Sequence, residues 1–412
     1  MSNHDEKDLL SRELHQRSAG VGGHPIGLDD VRDRARSIRR RRNAVRGVVA
    51  AVVLAVAVPV GLSTTDLLGS SGTPAPPVAS GSVEPSPDTP APTPGPDGSF
   101  PLTVHGLAKG EPAGVPYVVA KSDQLVTPDG TFDLPESYSM ITPYNGGWLA
   151  VGSSQHPEQI VMLDDNFQVT HTDPAGGYDL AVSADGSHVA YTVRESKTEV
   201  MLVNAPTDGT DPVTWMIDVP GGESLEPVGF LDNDTVVYNA PATNVMGVAR
   251  TGGTTTPIEG LRRVDDASEA TGMVSGLVSY GAEGACSGVM DPVSGTLLWK
   301  SCDYSNLRFS PDGRYVVADA SYFDGPGSPT VSIVDAGTGD KVVEFSPVQK
   351  DTVVGVSQSA WEDDDTVLAH VDEGGDQAMV RLGTDGSIEA VTDVVAARPM
   401  SVGLWFAEET RL

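Results

Sequence analysis

The side chains that could do chemistry in this chain do not form a familiar catalytic pattern. Five histidines are scattered beyond residue 100: His105, His156, His171, His188 and His370. No two of them have the spacing of an HExxH helix or of a zinc ligand set. The GxSxG turn of serine hydrolases, a P-loop and a GxGxxG motif after a strand are also missing from the sequence. The sequence therefore predicts no catalytic residue, no metal, no cofactor and no enzyme activity.

Carboxylates are most concentrated around residue 362. The group comprises Glu362, Asp363, Asp364, Asp365, Asp372, Glu373 and Asp376. Carboxylate oxygens are good calcium ligands, but the glycine and the closing glutamate of an EF-hand loop are missing. The run also repeats the shorter segment DNDT at 232–235. We therefore interpret it as a solvated turn.

The chain has two cysteines, Cys286 and Cys302. The segment DPVSGT at 291–296 has the composition of a hairpin turn, and a hairpin centred there places the two cysteines opposite each other. Opposed cysteines outside the cytoplasm form disulfides. We expect a Cys286–Cys302 disulfide that closes a loop of about 16 residues and stabilises the fold by roughly 3 kcal/mol.

The elements that must position these residues are β-strands. Beyond Phe100 the segments alternate polar and apolar residues and are separated by Asp-Gly, Asn-Gly and Gly-Gly turns. A short strand, an acidic turn and a second, apolar strand recur. The first apolar residues of the second strands are Leu149, Val189, Val236, Leu277, Val316 and Val367. Their spacing of 39 to 51 residues is the period of a four-stranded propeller blade, so we predict an all-β fold with a single β-propeller.

The two ends of this β region decide the number of blades. Leu404 is a seventh anchor, and strands are expected at 116–121 and 124–134 that lack an inner partner of their own. Pairing these N-terminal strands with the C-terminal one closes a ring of seven blades. Six blades with loosely attached ends is the alternative.

The repeats resemble those of known propellers. FSPDGRYVVAD at 309–319 and VSADGSHVAYT at 182–192 resemble the turn repeats of TolB-like and WD-repeat-like bacterial propellers, without the Trp-Asp dipeptide of a eukaryotic WD blade. MDPVSGTLLWK at 290–300 and IVDAGTGDKVVEF at 333–345 are similar to quinoprotein-like repeats. The resemblance covers about 300 residues and implies a fold rather than an activity. It carries over no cofactor ligand, because only the structural turn matches.

The aspartates and glycines of these turns have a structural explanation. Glycine supplies the positive φ that a tight hairpin requires, and aspartate hydrogen-bonds the backbone of its own turn. We therefore expect Asp185, Gly186, Asp312 and Gly313 to close hairpins between strands.

An apolar segment lies ahead of the β region. Residues 47–62 are uncharged and almost wholly apolar, and extension to residue 68 makes a transmembrane helix long enough to span. A cleaved secretory signal is the alternative, but the preceding 46 residues are far longer than a signal peptide's charged region. Arginines crowd the N-terminal flank: Arg39, Arg40, Arg41, Arg42 and Arg46. The positive-inside rule places the tail in the cytoplasm, with these arginines at anionic lipids, and the rest outside.

A linker joins the apolar segment to the strands. Residues 69–99 are nearly all Pro, Gly, Ser, Thr, Ala and Asp, the composition of an extended spacer. The sequence thus predicts a basic cytoplasmic tail at 1–46, a transmembrane helix at 47–68, a linker at 69–114 and an extracytoplasmic propeller at 115–412.

Charge and fold together narrow the function. Lys and Arg total 26 against 57 Asp and Glu, a formal charge of −31, so a nucleic acid would be repelled. We expect a monomeric, non-enzymatic module on the cell membrane that binds a protein, peptide or glycan on the propeller face. One alternative is a transmembrane regulator whose cytoplasmic tail binds a transcription-related partner. Another is a propeller hydrolase or lactonase, which requires polar residues that converge on the propeller axis.

Overall fold

A computed structural model describes most of the chain beyond residue 92. The described residues are 93–95, 98–119, 122–153, 158–219, 224–240, 245–253, 255–281, 284–322, 327–347, 353–396 and 403–407. The chain divides into two units, 1–84 and 85–412, and these residues belong to the second. The tail arginines, the apolar segment, most of the linker and His156 lie outside the described residues. No helix in the described part is long and apolar enough to cross a membrane.

The described residues form thirty short strands. The first ten are β1 (Phe100–Leu102), β2 (Tyr117–Val119), β3 (Gln124–Thr127), β4 (Gly130–Asp133), β5 (Tyr138–Tyr144), β6 (Gly147–Ser153), β7 (Ile160–Leu163), β8 (Val169–Asp173), β9 (Gly176–Val182) and β10 (His188–Arg194). The next ten are β11 (Glu199–Pro206), β12 (Val213–Asp218), β13 (Glu226–Asp232), β14 (Thr235–Ala240), β15 (Val245–Arg250), β16 (Thr256–Pro257), β17 (Arg263–Ser268), β18 (Met273–Gly281), β19 (Gly284–Asp291) and β20 (Thr296–Ser301). The last ten are β21 (Tyr304–Phe309), β22 (Tyr315–Ala320), β23 (Val331–Asp335), β24 (Lys341–Pro347), β25 (Val354–Trp361), β26 (Thr366–Glu373), β27 (Asp376–Gly383), β28 (Ile388–Ala390), β29 (Val395–Ala396) and β30 (Leu404–Phe406).

These strands form seven sheets, and four antiparallel strands of each sheet make one blade of a propeller. Blades 1 to 6 are β5–β8, β9–β12, β13–β16, β17–β20, β21–β24 and β25–β28, and in each the strands lie in chain order from the axis outwards. Blade 7 has the order β30-β2-β3-β4. The prediction of an all-β propeller with seven four-stranded blades is confirmed, and the six-bladed alternative is discarded.

Ring closure joins the two ends of the β region. β30 pairs antiparallel with β2, with Trp405 opposite Val118, and supplies the inner strand that the N-terminal strands lack. Leu404 therefore lies in a first strand, whereas the other anchors lie in second strands. The anchor predicted for blade 4 also differs, since Leu277 is only half-buried. Val274 begins the buried row of that blade instead, because β18 starts directly after its turn.

The core lies between the blades. The anchors Val189, Val236, Val316 and Val367 are fully buried in separate clusters, each shared by neighbouring sheets. Burying a valine side chain stabilises a fold by about 1.5 to 3 kcal/mol, so the repeated apolar strand is what holds each blade to the next.

The start of the propeller wraps around its rim. β1 pairs in parallel with β24, the outer strand of blade 5, and Lys109 forms a bridge to Ala390 at the outer strand of blade 6. Leu102 and Val104 are buried against both blades. This strap, residues 98–116, thus packs on the propeller although the linker was expected to extend to 114, because its apolar residues cover two sheet edges.

The structure contains the predicted disulfide and the predicted acidic turns. Cys286 and Cys302 form a disulfide, and the register that pairs Ser287 with Ser301 places them opposite each other. The acidic turns connect first to second strands: Gly186 has φ 66° and Gly313 has φ 72°. In each of these turns the aspartate before the glycine accepts a backbone N–H two residues on.

Candidate functional site at the propeller axis

A polar channel runs along the propeller axis. The inner strands β5, β9, β13, β17, β21 and β25 line a cavity of about 760 Å³. The chain enters the first strand of each blade at one face of the propeller, called here the upper face. The first strand ends at the acidic turn on the opposite face, called the lower face. A cavity of this size lies in the range of ligand sites.

Two carboxyl groups in the upper half of the channel repel each other. Burial raises the pKa of Asp179 to about 7, and the nearby Glu226 carboxylate contributes. Burial also raises the pKa of Glu226, although the Arg263 guanidinium opposes this shift. Because like charges in a desolvated site disfavour joint ionisation, the pair takes up a proton near neutral pH.

A hydrogen-bonded network connects Arg263, whose charge acts on Glu226, to blade 5. Arg263 donates to Asp265 Oδ1 at 2.7 Å and to Asn306 Oδ1 at 3.0 Å. Asn306 in turn donates to Asp319 Oδ2 at 3.1 Å. Asp319 is buried, and burial raises the pKa of its carboxyl although Arg308 opposes this shift. Asn306 has φ 51°, the left-handed region, so its amide is held between the two partners at some backbone cost.

The lower mouth is crossed by a carboxylate. Glu269, after the first strand of blade 4, accepts the backbone N–H of Ala184 in blade 2 at 2.7 Å. Burial raises the pKa of Glu269, and the carboxylates of Asp185 and Asp232 add to the effect. This bond spans blade 3 and narrows one side of the mouth.

The channel as a whole is anionic but not uniformly so. Its charged lining consists of Asp179, Asp185, Glu226, Asp265, Asp266, Glu269, Arg263 and Arg308. No group of three or more metal-binding side chains is arranged around a common point among the described residues. The arrangement can hold a polar ligand by charge-assisted hydrogen bonds and can exchange a proton with it.

Among the described residues, the histidines that the sequence singled out are not brought together. His370 is buried in blade 6, where its Nδ1 lies 2.7 Å from Ser357 Oγ, and burial lowers its pKa to about 4 although the Asp372 carboxylate opposes this. His105 lies 3.5 Å from Asp376 at the rim. His188 contacts the hydroxyl of its neighbour Ser187.

The acidic group around residue 362 is partly structural rather than solvated. Glu362 is largely buried against Arg381 and accepts the backbone N–H of Gly114 in the strap. Asp372 is buried and accepts from Gly375 and Gln377, while Glu373 accepts from Thr103 and Val104. Asp363 and Asp365 are exposed in the turn itself. The solvated-turn interpretation therefore describes only part of the group.

The upper face exposes apolar side chains on three neighbouring blades. Tyr280 is 68% exposed at the end of the second strand of blade 4, and Tyr322 is 80% exposed just after the second strand of blade 5. Val353, Val394 and Val395 are exposed at the same face of blade 6.

Sequence reasoning missed the channel residues although a signal existed. Asp179, Glu226, Arg263 and Asn306 each stand six residues before the acidic residue of their own blade's turn, at 185, 232, 269 and 312. Aligning the repeats on these turns would have selected this polar column. No single segment contains a motif, because each blade contributes one or two of the side chains.

Comparison with known proteins adds a likeness in fold. No protein-family profile and no curated protein matches the sequence. A solved structure of YCF48 bound to D1 peptide is 14% identical, covers 70% of this chain and 88% of its own, and has a TM-score of 0.44. An apocarotenoid oxygenase of Synechocystis is 14% identical, with coverages of 63% and 71% and a TM-score of 0.42.

A third solved structure is also similar to the chain. A putative TolB of Agrobacterium tumefaciens is 12% identical, with coverages of 69% and 90% and a TM-score of 0.36. The seven sheets show that the chain is a seven-bladed β-propeller, the fold that the resemblance of its turn repeats to TolB-like propellers implied.

Proposed function

We propose that this chain is a membrane-anchored, extracytoplasmic propeller that binds a protein or peptide partner, or a glycan, on its upper face and catalyses no reaction. The observation that carries the proposal is the exposure of Tyr280 and Tyr322 at the same face of adjacent blades. Tyrosine is enriched in binding hot spots because it offers a large contact area and a polar tip at small entropic cost. Single exposed apolar residues are ordinary, but their occurrence at one face of blades 4 to 6 supports an interaction surface there.

The extracytoplasmic location rests on two supports. The apolar segment 47–68 follows the arginines at 39–42 and 46, an arrangement that favours a cytoplasmic N-terminus. The Cys286–Cys302 disulfide favours an oxidising compartment for the propeller. The linker at 69–99 then spaces the binding face from the membrane.

A hydrolase is the second candidate, and Asp179 is the observation that favours it. A channel carboxyl with a pKa of about 7 is suited to general acid–base catalysis at neutral pH. No histidine and no cysteine is among the described residues that line the channel, so its hydroxyl groups lack the base of a Ser-His-Asp triad. The leading proposal therefore gives this carboxyl no catalytic role.

Protease treatment of intact cells tests the location. The exposed linker should be cut and the propeller released, while the tail at 1–46 stays protected. A propeller that survives until the membrane is permeabilised would contradict the proposal. Deleting residues 1–27 separates the binder from the regulator alternative, because a binder retains insertion and ligand binding whereas a regulator loses its output.

A further inference from the structure

A second, smaller cavity opens on the upper face between blades 3 and 4. Its volume is about 210 Å³, and we call it the Arg262 groove. It is lined by Asn239, Met246, Arg262, Arg263, Leu277 and Tyr280, with Ala240. Drug-sized ligands occupy about 300 to 1,000 Å³, so this groove suits one or two amino-acid side chains.

The two arginines of the groove differ in whether a carboxylate neutralises them. Arg263 is fixed by Asp265, which is only 4% exposed, through both Nε and Nη2. Arg262 is exposed, and no carboxylate of the described residues lies within ion-pair distance of it. Arg262 is therefore the one cation lining the groove that no described carboxylate neutralises.

The rest of the groove is largely apolar, and hydrogen bonds fix its base. Met246 is buried and Leu277 is half-buried, so together they form an apolar floor. Asn239 is buried and bonds the backbone of Val264 in both directions, at 2.8 and 2.9 Å, which fixes blade 3 to blade 4 beneath the groove. Tyr280 forms an exposed wall. A preorganised site loses less entropy on binding.

We propose that the Arg262 groove binds the C-terminal carboxylate of a partner peptide together with its last apolar side chain. Guanidinium groups bind carboxylates in a bidentate geometry, and Arg with Tyr is the usual composition of a binding hot spot. A single carboxylate matches the one unneutralised cation, whereas a strongly acidic segment would be repelled by the rest of the protein. This inference rests on the proposed function and specifies its ligand.

Two random seven-residue display libraries test the groove against the purified full chain. One library ends in a free carboxylate, and in the other the same segment is internal. We expect enrichment only from the first, with an apolar last residue. The most enriched peptide, made synthetically, should bind at least tenfold more weakly when its C-terminus is amidated. Arg262→Ala and Tyr280→Ala in the protein should each weaken binding by the same factor. Arg262→Lys should weaken it less, because lysine keeps the charge but not the bidentate geometry.

Lys197→Ala is the matched control, since Lys197 is an exposed cation on the upper face of blade 2, and it should leave affinity unchanged. Two results would overturn the assignment of the groove but leave the proposed function in place. One is a free-carboxylate peptide whose affinity does not change with Arg262→Ala or Tyr280→Ala. The other is enrichment of internal peptides only. Failure of both libraries would contradict the groove and the peptide-binding form of the proposed function together.

Discussion

The indole N–H of Trp405, in the last strand of the ring, donates to the backbone carbonyl of Tyr138 at 2.8 Å, 267 residues earlier in the chain. The bond joins the inner strand of blade 7 to that of blade 1, where Trp405 is buried in the cluster shared by both blades. The same device recurs between blades 6 and 5, where Trp361 donates to the carbonyl of Arg308 at 2.9 Å. Indole bonds of this kind fix neighbouring first strands, and at Trp405 the bond also holds the ring shut.

Replacing the closing tryptophan should open the ring. Trp405→Ala removes a buried side chain of blade 7 and should lower the free energy of unfolding by about 3 to 5 kcal/mol. Urea denaturation of the full chain measures the change. Val293→Ala, at an 82% exposed position, is the control and should change the free energy by less than about 0.5 kcal/mol. Equal effects of the two substitutions would contradict the assigned role.

The disulfide of blade 4 should contribute to stability. Its two cysteines are 16 residues apart, so replacing both with serine should cost roughly 3 kcal/mol by the chain-entropy relation. The variant should be insensitive to dithiothreitol in thermal unfolding, while the wild type should lose stability when reduced. Alkylation of both thiols in the folded, non-reduced protein would show that the bond is absent.

The ion pair that holds the strap should contribute more to the free energy of unfolding than an exposed ion pair does. Arg381 bonds Glu362, Glu389 and the carbonyls of Glu111 and Pro112 in a largely buried position. Arg381→Ala leaves Glu362 buried without its cation and should cost about 3 to 5 kcal/mol.

Arg314→Ala is the matched control for this substitution. Arg314 bonds Asp312 and Asp365 at the exposed lower face, and its loss should lower the free energy of unfolding far less than the loss of Arg381. Limited proteolysis should cut the strap faster only in the Arg381 variant. Similar denaturation curves for the two variants would contradict a clamping role.

The channel carboxyl should make the propeller less stable at neutral and higher pH. Folding raises the pKa of Asp179 from 3.8 to about 7, so its stabilising contribution is present below pH 4 and is lost as pH rises through 7. About three pKa units correspond to about 4 kcal/mol. Asp179→Asn should therefore become more stable than the wild type as pH rises from 4 to 8, up to that amount. A pH-independent difference would contradict the shifted pKa.

The buried histidine of blade 6 should act in the opposite direction. Folding lowers the pKa of His370 from 6.5 to about 4, so the unfolded chain binds the extra proton first and stability falls as pH decreases from 6.5 to 4. The loss should reach about 3 kcal/mol. His370→Gln should remove that part of the slope in denaturation series measured at several pH values. An unchanged slope would contradict the assignment.

The fold was largely predictable because its signals are local. Turn residues such as Asp312 and Gly313, and valines such as Val316 behind them, mark most of the blades in the sequence, and the hairpin at 291–296 was sufficient to pair the cysteines. The channel was not predicted, because Asp179 and Arg263 acquire their chemistry only when distant strands meet at one axis. Their pKa values and bonds depend on burial, and a single strand sequence does not reveal it.

Photocrosslinking in intact cells tests the central claim, a partner-binding upper face, most directly. A photoreactive phenylalanine analogue would replace Tyr280 or Tyr322 on the upper face, and Val293 on the lower face as the matched exposed position. The account predicts the same crosslinked partner from both upper-face positions, none from Val293, and loss of the Tyr322 crosslink when Arg262→Ala is added. Crosslinks of equal yield from both faces, or from the lower face alone, would contradict it.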